Sequence, residues 1–171
     1  MLYNIHPLFV HFPIALLFIY SIIKIIPFKK WFPNVSWKHI ERALLLVGVL
    51  GAFAALMTGE TAEQLTKPNH NLVEAHSFFA TTATYLYAIL LLGEILSISM
   101  SWIDLKLKSG KILKTIVFIK NLLNQPILSI TLAILGFITI SITGLLGGVM
   151  VYGTSADPVA GLVLRLLGIS L

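Results

Sequence analysis

Four long stretches of the chain are almost uninterrupted runs of apolar residues, and the polar positions gather in the gaps between them. The runs cover about 7–26, 40–58, 76–102 and 126–152. A hydrocarbon core about 30 Å thick takes about 20 apolar residues of helix, so each run is long enough to cross it. The apolar positions are not confined to one helical face, which separates these runs from amphipathic surface helices. The first carries Lys24 only at its far end, the second is rich in small residues (Gly48, Gly51, Ala52, Ala54, Ala55), and the third contains Glu94. The fourth opens at Pro126, whose missing N–H costs nothing in a first turn. The pattern predicts an all-α integral membrane protein: one domain over 1–171, built as a four-transmembrane-helix bundle. The first run lacks a basic segment before it and a small-residue cleavage site after it. It therefore reads as a retained helix and not as a signal peptide.

Two weaker patterns remain. Over 111–123, Ile112, Leu113, Ile116, Val117, Ile119 and Leu123 fall near one helical face, with Lys111, Lys114 and Lys120 largely off it. This predicts a short interfacial helix in the cytoplasmic leaflet. The tail 158–171 is apolar apart from Arg165, and is expected to lie on the outer membrane surface or to dock on a partner.

Composition sharpens this reading. The 171 residues are 57% hydrophobic and 11% charged, with a mean hydropathy of +0.93. A soluble domain has about 25% charged residues, so a soluble globular enzyme and a disordered tail are both excluded. The absence of cysteine removes disulfides, iron–sulfur ligation, thiolate zinc or copper sites and covalently attached haem. The net charge of +5 is unevenly placed: ten of the twelve Lys and Arg lie between Lys24 and Arg42 or between Lys106 and Lys120. The other side has Lys67 and Arg165 against Glu60, Glu63, Glu74 and Asp157. The positive-inside rule then puts both termini outside the cytoplasm, with the chain a multi-pass protein of the bacterial cytoplasmic membrane. The basic residues face anionic lipid and give no evidence for nucleic acid. Trp31, Trp37 and Trp102 read as belt anchors on the cytoplasmic side, with Tyr3 and Tyr152 as their outer counterparts.

The five histidines are the unusual polar feature. His6 and His11 open the first run, and His70 and His76 precede and open the third, so four belong to the outer side. His39 lies at the other end and reads as an interface residue. Ionisable groups in or near a membrane usually mark a site. His11 stands in Val10-His11-Phe12-Pro13, where Pro13 leaves the carbonyl of Phe9 without its helical donor. His6 and His11 are about 140° apart on a helix, so they point to different faces if both are helical.

Two imidazoles on different helices can hold a b-type haem in a bundle, which makes His11 and His76 the first candidate pair of axial ligands. Phe9, Phe12, Phe78 and Phe79 are the candidate lining, and Gly48, Gly51, Gly144, Gly147 and Gly148 allow close helix approach. Met57 and Met150 are alternative ligands, more readily read as gap fillers. His6 and His70 are candidates for a second haem or for a propionate bond; otherwise His6 is a cap residue and His70 an exposed loop residue. Two rival readings stay open. One is a non-redox metal site on His11 and His76, with His6 joining them. The other is a structural subunit whose histidines are simply hydrogen-bonded. Glu94, about 27 Å along the helix from His76, is expected near the cytoplasmic surface in an ion pair with a lysine and not on a proton path. No phosphate loop, nucleophile elbow or HExxH motif is present.

The opening His6-Pro7-Leu8-Phe9-Val10-His11-Phe12-Pro13-Ile14-Ala15 resembles an HPLxVHFPIA-type motif of a bacterial four-helix membrane family, domain of unknown function 2231. Ala75-His76 matches the family's third-helix histidine. Thr143 to Tyr152 matches the TGxLGGxLVY-type end of its fourth helix. The resemblance runs from His6 to Tyr152 and implies a four-helix membrane fold, with a histidine site implied only indirectly and no reaction. Many members continue with a His-Gly pair where this chain has Thr154-Ser155, which removes a fourth-helix histidine. The function expected from the sequence is a b-type cytochrome subunit with one haem, or two, and no catalysis of its own. Its partners would be an extracytoplasmic redox protein and either quinone or another membrane subunit.

Overall fold

The computed structural model describes residues 5–66, 68–106 and 110–169. These form α1 (His6–Ile25), the single turn α2 (Phe28–Trp31), α3 (Trp37–Thr66), α4 (His70–Lys106), α5 (Lys111–Leu123) and α6 (Pro126–Tyr152), then a 3-10 turn (Thr154–Ala156) and α7 (Ala160–Leu166). Four of them, α1, α3, α4 and α6, are long and apolar enough to cross a membrane. Tyr3, Lys67, Lys108, Ser170, Leu171 and the side chains of Trp102 and Lys106 lie outside the described residues.

The sequence explains where the helices stop. α1 ends at Ile25 because Pro27 forces the preceding Ile26 into an extended conformation (ψ 132°). α2 and the start of α3 are tied by Phe28 stacking on Trp37, with centroids 5.4 Å apart, and by the Trp37 indole donating to the Phe32 carbonyl at 2.9 Å. α3 and α4 are 30 and 37 residues long, well beyond their apolar runs. Their extra turns, Gly59–Thr66 and His70–Ala75, are polar but contain Glu, Gln, Leu and Ala, all good helix formers.

α1 packs on α3, α3 on α4, α4 on α6, and α6 back on α1. The four spans therefore form a closed ring in which α1 and α4 oppose each other across one diagonal. The core combines Leu17 and Tyr20 of α1, Leu45 and Val49 of α3, Ala83 and Tyr87 of α4, and Ala133 and Ile140 of α6. Small residues set how close the helices come. An added Cβ at Gly48 would lie 2.6 Å from Leu17 Cδ2, and one at Gly136 would lie 2.8 Å from Tyr87 Cζ. Tyr87 cannot swing away, because its hydroxyl shares a buried 2.7 Å hydrogen bond with Ser21. The Gly144–Gly148 spacing is used unevenly: Gly144 faces Ile14, whereas Gly148 has open space beside it.

The basic end is cross-linked by charge. Lys24 of α1 meets Glu41 of α3 at 3.4 Å, and Arg42 of α3 meets Glu94 of α4 at 2.8 Å. Glu94 is thus ion-paired at that end, with an arginine where a lysine was expected. α5 tucks its carboxyl end under α4, where Asn124 Nδ2 donates to the Gly93 carbonyl at 2.9 Å. Its apolar residues divide between two sides. Leu113, Ile116, Val117 and Leu123 are half-buried, while Ile112 and Ile119 are exposed together with Phe118 and Leu122.

At the opposite end the tail folds back. Ala160 and Leu164 of α7 are buried against Leu72 of α4 and Leu146 and Val149 of α6. The tail thus docks on its own bundle through Ala160 and Leu164, and Val159, Leu162 and Leu166 remain exposed. A methyl at Gly136 has no room, whereas one at Gly148 does. Gly136→Ala is expected to destabilise the folded protein by about 1–3 kcal/mol, as overpacking does, and Gly148→Ala to leave stability within about 0.5 kcal/mol. Thermal unfolding of the two variants in one detergent checks this.

Candidate functional site

The rotation of α1 about its axis decides which histidine enters the bundle. Pro13, Leu17, Tyr20 and Ser21 are the residues of α1 that bury. His6 precedes Pro13 by seven residues and Tyr20 by fourteen, which returns it to nearly the same face. His11 shares its face with Ala15 and Ile19, and all three are exposed. α1 continues through Pro13, whose ring is packed at the position of Gly51 on α3.

His6 is held by α3. Its Nδ1 lies 2.8 Å from Thr58 Oγ1, and the Thr58 hydroxyl itself donates to the Ala55 carbonyl at 3.0 Å. Which group donates in the His6–Thr58 contact is set by the tautomer of the ring. The backbone of Ala55 adds a further hydrogen bond to the same imidazole. Gly59 lies beside the ring, where an added Cβ would be in ordinary contact with His6 Cε1 at 3.7 Å.

His76 is held by α6 in the same way. Its Nδ1 lies 3.0 Å from the Thr143 carbonyl, which can only accept, so Nδ1 is the protonated nitrogen of this ring. Thr143 is buried and turns its own hydroxyl to the Thr139 carbonyl at 2.8 Å. Gly147, one turn further along α6, faces the ring edge, and an added Cβ would lie 3.4 Å from His76 Cε1. The two imidazoles are within electrostatic reach of each other. They stand at one end of the bundle, on helices that oppose each other across the ring.

In a neutral His76 ring the lone pair is then on Nε2. A ligating histidine typically donates its other ring N–H to a carbonyl or a similar acceptor, which fixes the tautomer. His76 has that arrangement, and His6 is tied to α3 through Nδ1.

The other sequence candidates are placed differently. His11 is exposed and makes no hydrogen bond or ion pair among the described residues. His70 is the exposed first residue of α4, not a loop residue, and His39 is exposed at the basic end. Met57 is 83% exposed, and Met150 is packed in the α7 cluster. Phe9, Phe12 and Phe78 are exposed and only Phe79 is partly buried. No group of three or more His, Asp or Glu is close enough to hold a metal ion among the described residues.

The orienting residues Thr58 and Thr143 were not singled out from the sequence. A signal was present: each is a threonine followed by glycine toward the histidine end of its span, Thr58-Gly59 and Thr143-Gly144. The seven-residue step from His6 to Pro13 was also readable.

A family model, described as a predicted membrane protein (DUF2231), matches residues 2–157. No curated protein and no solved structure matches the chain significantly.

Proposed function

The chain belongs to the DUF2231 family of predicted membrane proteins, and on that premise we propose that it is a haem-binding electron-transfer subunit. His6 and His76 would hold the haem, one from α1 and one from α4. The observation that carries this reading is the matched pair of histidines, each anchored through Nδ1 on a neighbouring helix. A set of two protein nitrogens fits a centre that brings its own equatorial ligands. It fits less well a zinc-type site, which takes three or four ligands from the protein. A chain without cysteine can hold haem only non-covalently.

The bound group would supply one-electron chemistry. The protein's share is orientation: Thr58 and Thr143 fix the two rings, and the surrounding apolar helices keep the site in a low dielectric. α7 covers the same end beside His76, through Ala75 and Phe79. Electrons would pass between an extracytoplasmic redox protein and quinone or another membrane subunit. Loop charge supports placing this end outside the cytoplasm of a bacterial membrane, since the ten clustered Lys and Arg belong to the other end.

Two measurements test this. The purified protein, expressed with haem available, is expected to show a Soret band and an α-band on dithionite reduction. His6→Ala and His76→Ala should each lose or shift the bands, while His11→Ala keeps them. A colourless preparation, or bands that depend on His11 alone, would sink the assignment and leave the imidazoles as clasps between helices. For orientation, the natural absence of cysteine makes Ser155→Cys a single-site probe. In intact cells it should react with a membrane-impermeant maleimide; labelling only after lysis reverses the topology.

A further inference from the structure

The basic end of the bundle contains a cavity of about 990 Å³ between the end of α1, the start of α3, α4 and the α5–α6 junction. Two acids, Glu41 and Glu94, are on its wall, and each is already in an ion pair, with Lys24 and Arg42 respectively. Three further wall residues, Lys29, Lys38 and Lys120, make no ion pair among the described residues. The cavity therefore has an excess of positive charge that no acid on its wall offsets.

The rest of the wall is of two kinds. Ser36, Asn121 and Gln125 offer uncharged hydrogen-bonding groups, and Ile26, Phe28 and Val35 offer apolar surface. The amino ends of α3 and α6 open here, through Trp37 and Pro126, as do the carboxyl ends of α1 and α5, so the opposing helix dipoles offset and the lysines carry the positive charge. A small inorganic anion would satisfy the lysines but would leave most of this volume and the apolar wall unused. A ligand with a phosphate, a polar backbone and an attached apolar chain uses all three.

We propose that this cavity binds the headgroup of an anionic phospholipid from the adjoining leaflet. Lys29, Lys38 and Lys120 meet the phosphate, and the uncharged polar residues meet the glycerol part. The exposed Ile112, Phe118 and Leu122 of the neighbouring α5 lie alongside the acyl region. The site would bind one lipid molecule by shape and charge, as opposed to the diffuse attraction of any basic surface to an anionic membrane. It is independent of the histidine site at the other end.

Native mass spectrometry of the full-length protein in detergent tests this, with phosphatidylglycerol and phosphatidylcholine of matched chain length as probes. The wild type should hold one phosphatidylglycerol in preference to phosphatidylcholine. Each of Lys29→Gln, Lys38→Gln and Lys120→Gln should weaken that binding about fivefold, the worth of one lysine near an anionic surface. The Lys111→Gln/Lys114→Gln double variant alters exposed lysines of α5 that do not line the cavity, and it should bind as the wild type does. An equal loss in that double variant would mean diffuse charge and would overturn the proposal. So would an unchanged preference in the three cavity variants. Inorganic phosphate displacing the lipid at comparable concentration would overturn the lipid assignment in favour of a free anion.

Discussion

A polar side chain between apolar helices must find its hydrogen-bond partner inside the protein, because the bilayer offers none. That constraint organises this bundle. Ser21 is joined to Tyr87, Thr84 and Ser129 bond carbonyls of their own helices, and Thr143 bonds the Thr139 carbonyl. The two inward histidines obey it across helix boundaries, His6 reaching α3 and His76 reaching α6. For His76 the carbonyl partner also fixes which nitrogen bears the proton, so the rule that keeps the bundle together sets the tautomer of that ring.

The two ends of the ring solve different problems. At the histidine end the cross-links are neutral hydrogen bonds, the helix contacts involve Gly59 and Gly147, and α7 packs over α4 and α6. At the basic end they are ion pairs, Lys24 with Glu41 and Arg42 with Glu94, and a cavity remains. The paired side chains are only 13–27% exposed, so each pair offsets the cost of taking its charges out of water. Their larger effect here is to neutralise both acids on the cavity wall. Between the ends, glycines opposite Leu17 and Tyr87 bring the helices close, so packing does what a hydrophobic driving force cannot do inside lipid.

Much of this was legible in the sequence, since apolarity over about 20 residues admits few alternatives to a spanning helix. The helical turns around 59–75 were not, because hydropathy is blind to polar residues that are good helix formers. His76 was found because it opens a span. The choice of His11 over His6 was a question of rotation. Spacing alone separates the two by about 140° without saying which faces inward. The close contact of α1 with α3 at Pro13 and Leu17 settles that, and those contacts depend on Gly51 and Gly48 of a different helix. The threonine partners were missed for the same reason: they are 52 and 67 residues away from their histidines.

The proposed haem site requires His6 and His76 to face one shared centre from opposite corners of the ring. Low-temperature electron paramagnetic resonance of the oxidised, haem-loaded protein tests it most directly, because spin state reports how many strong axial ligands the iron has. Two imidazoles predict a low-spin ferric spectrum that turns high-spin on replacing either His6 or His76 with alanine. A high-spin spectrum in the wild type, or a low-spin one that survives both replacements, would contradict the account.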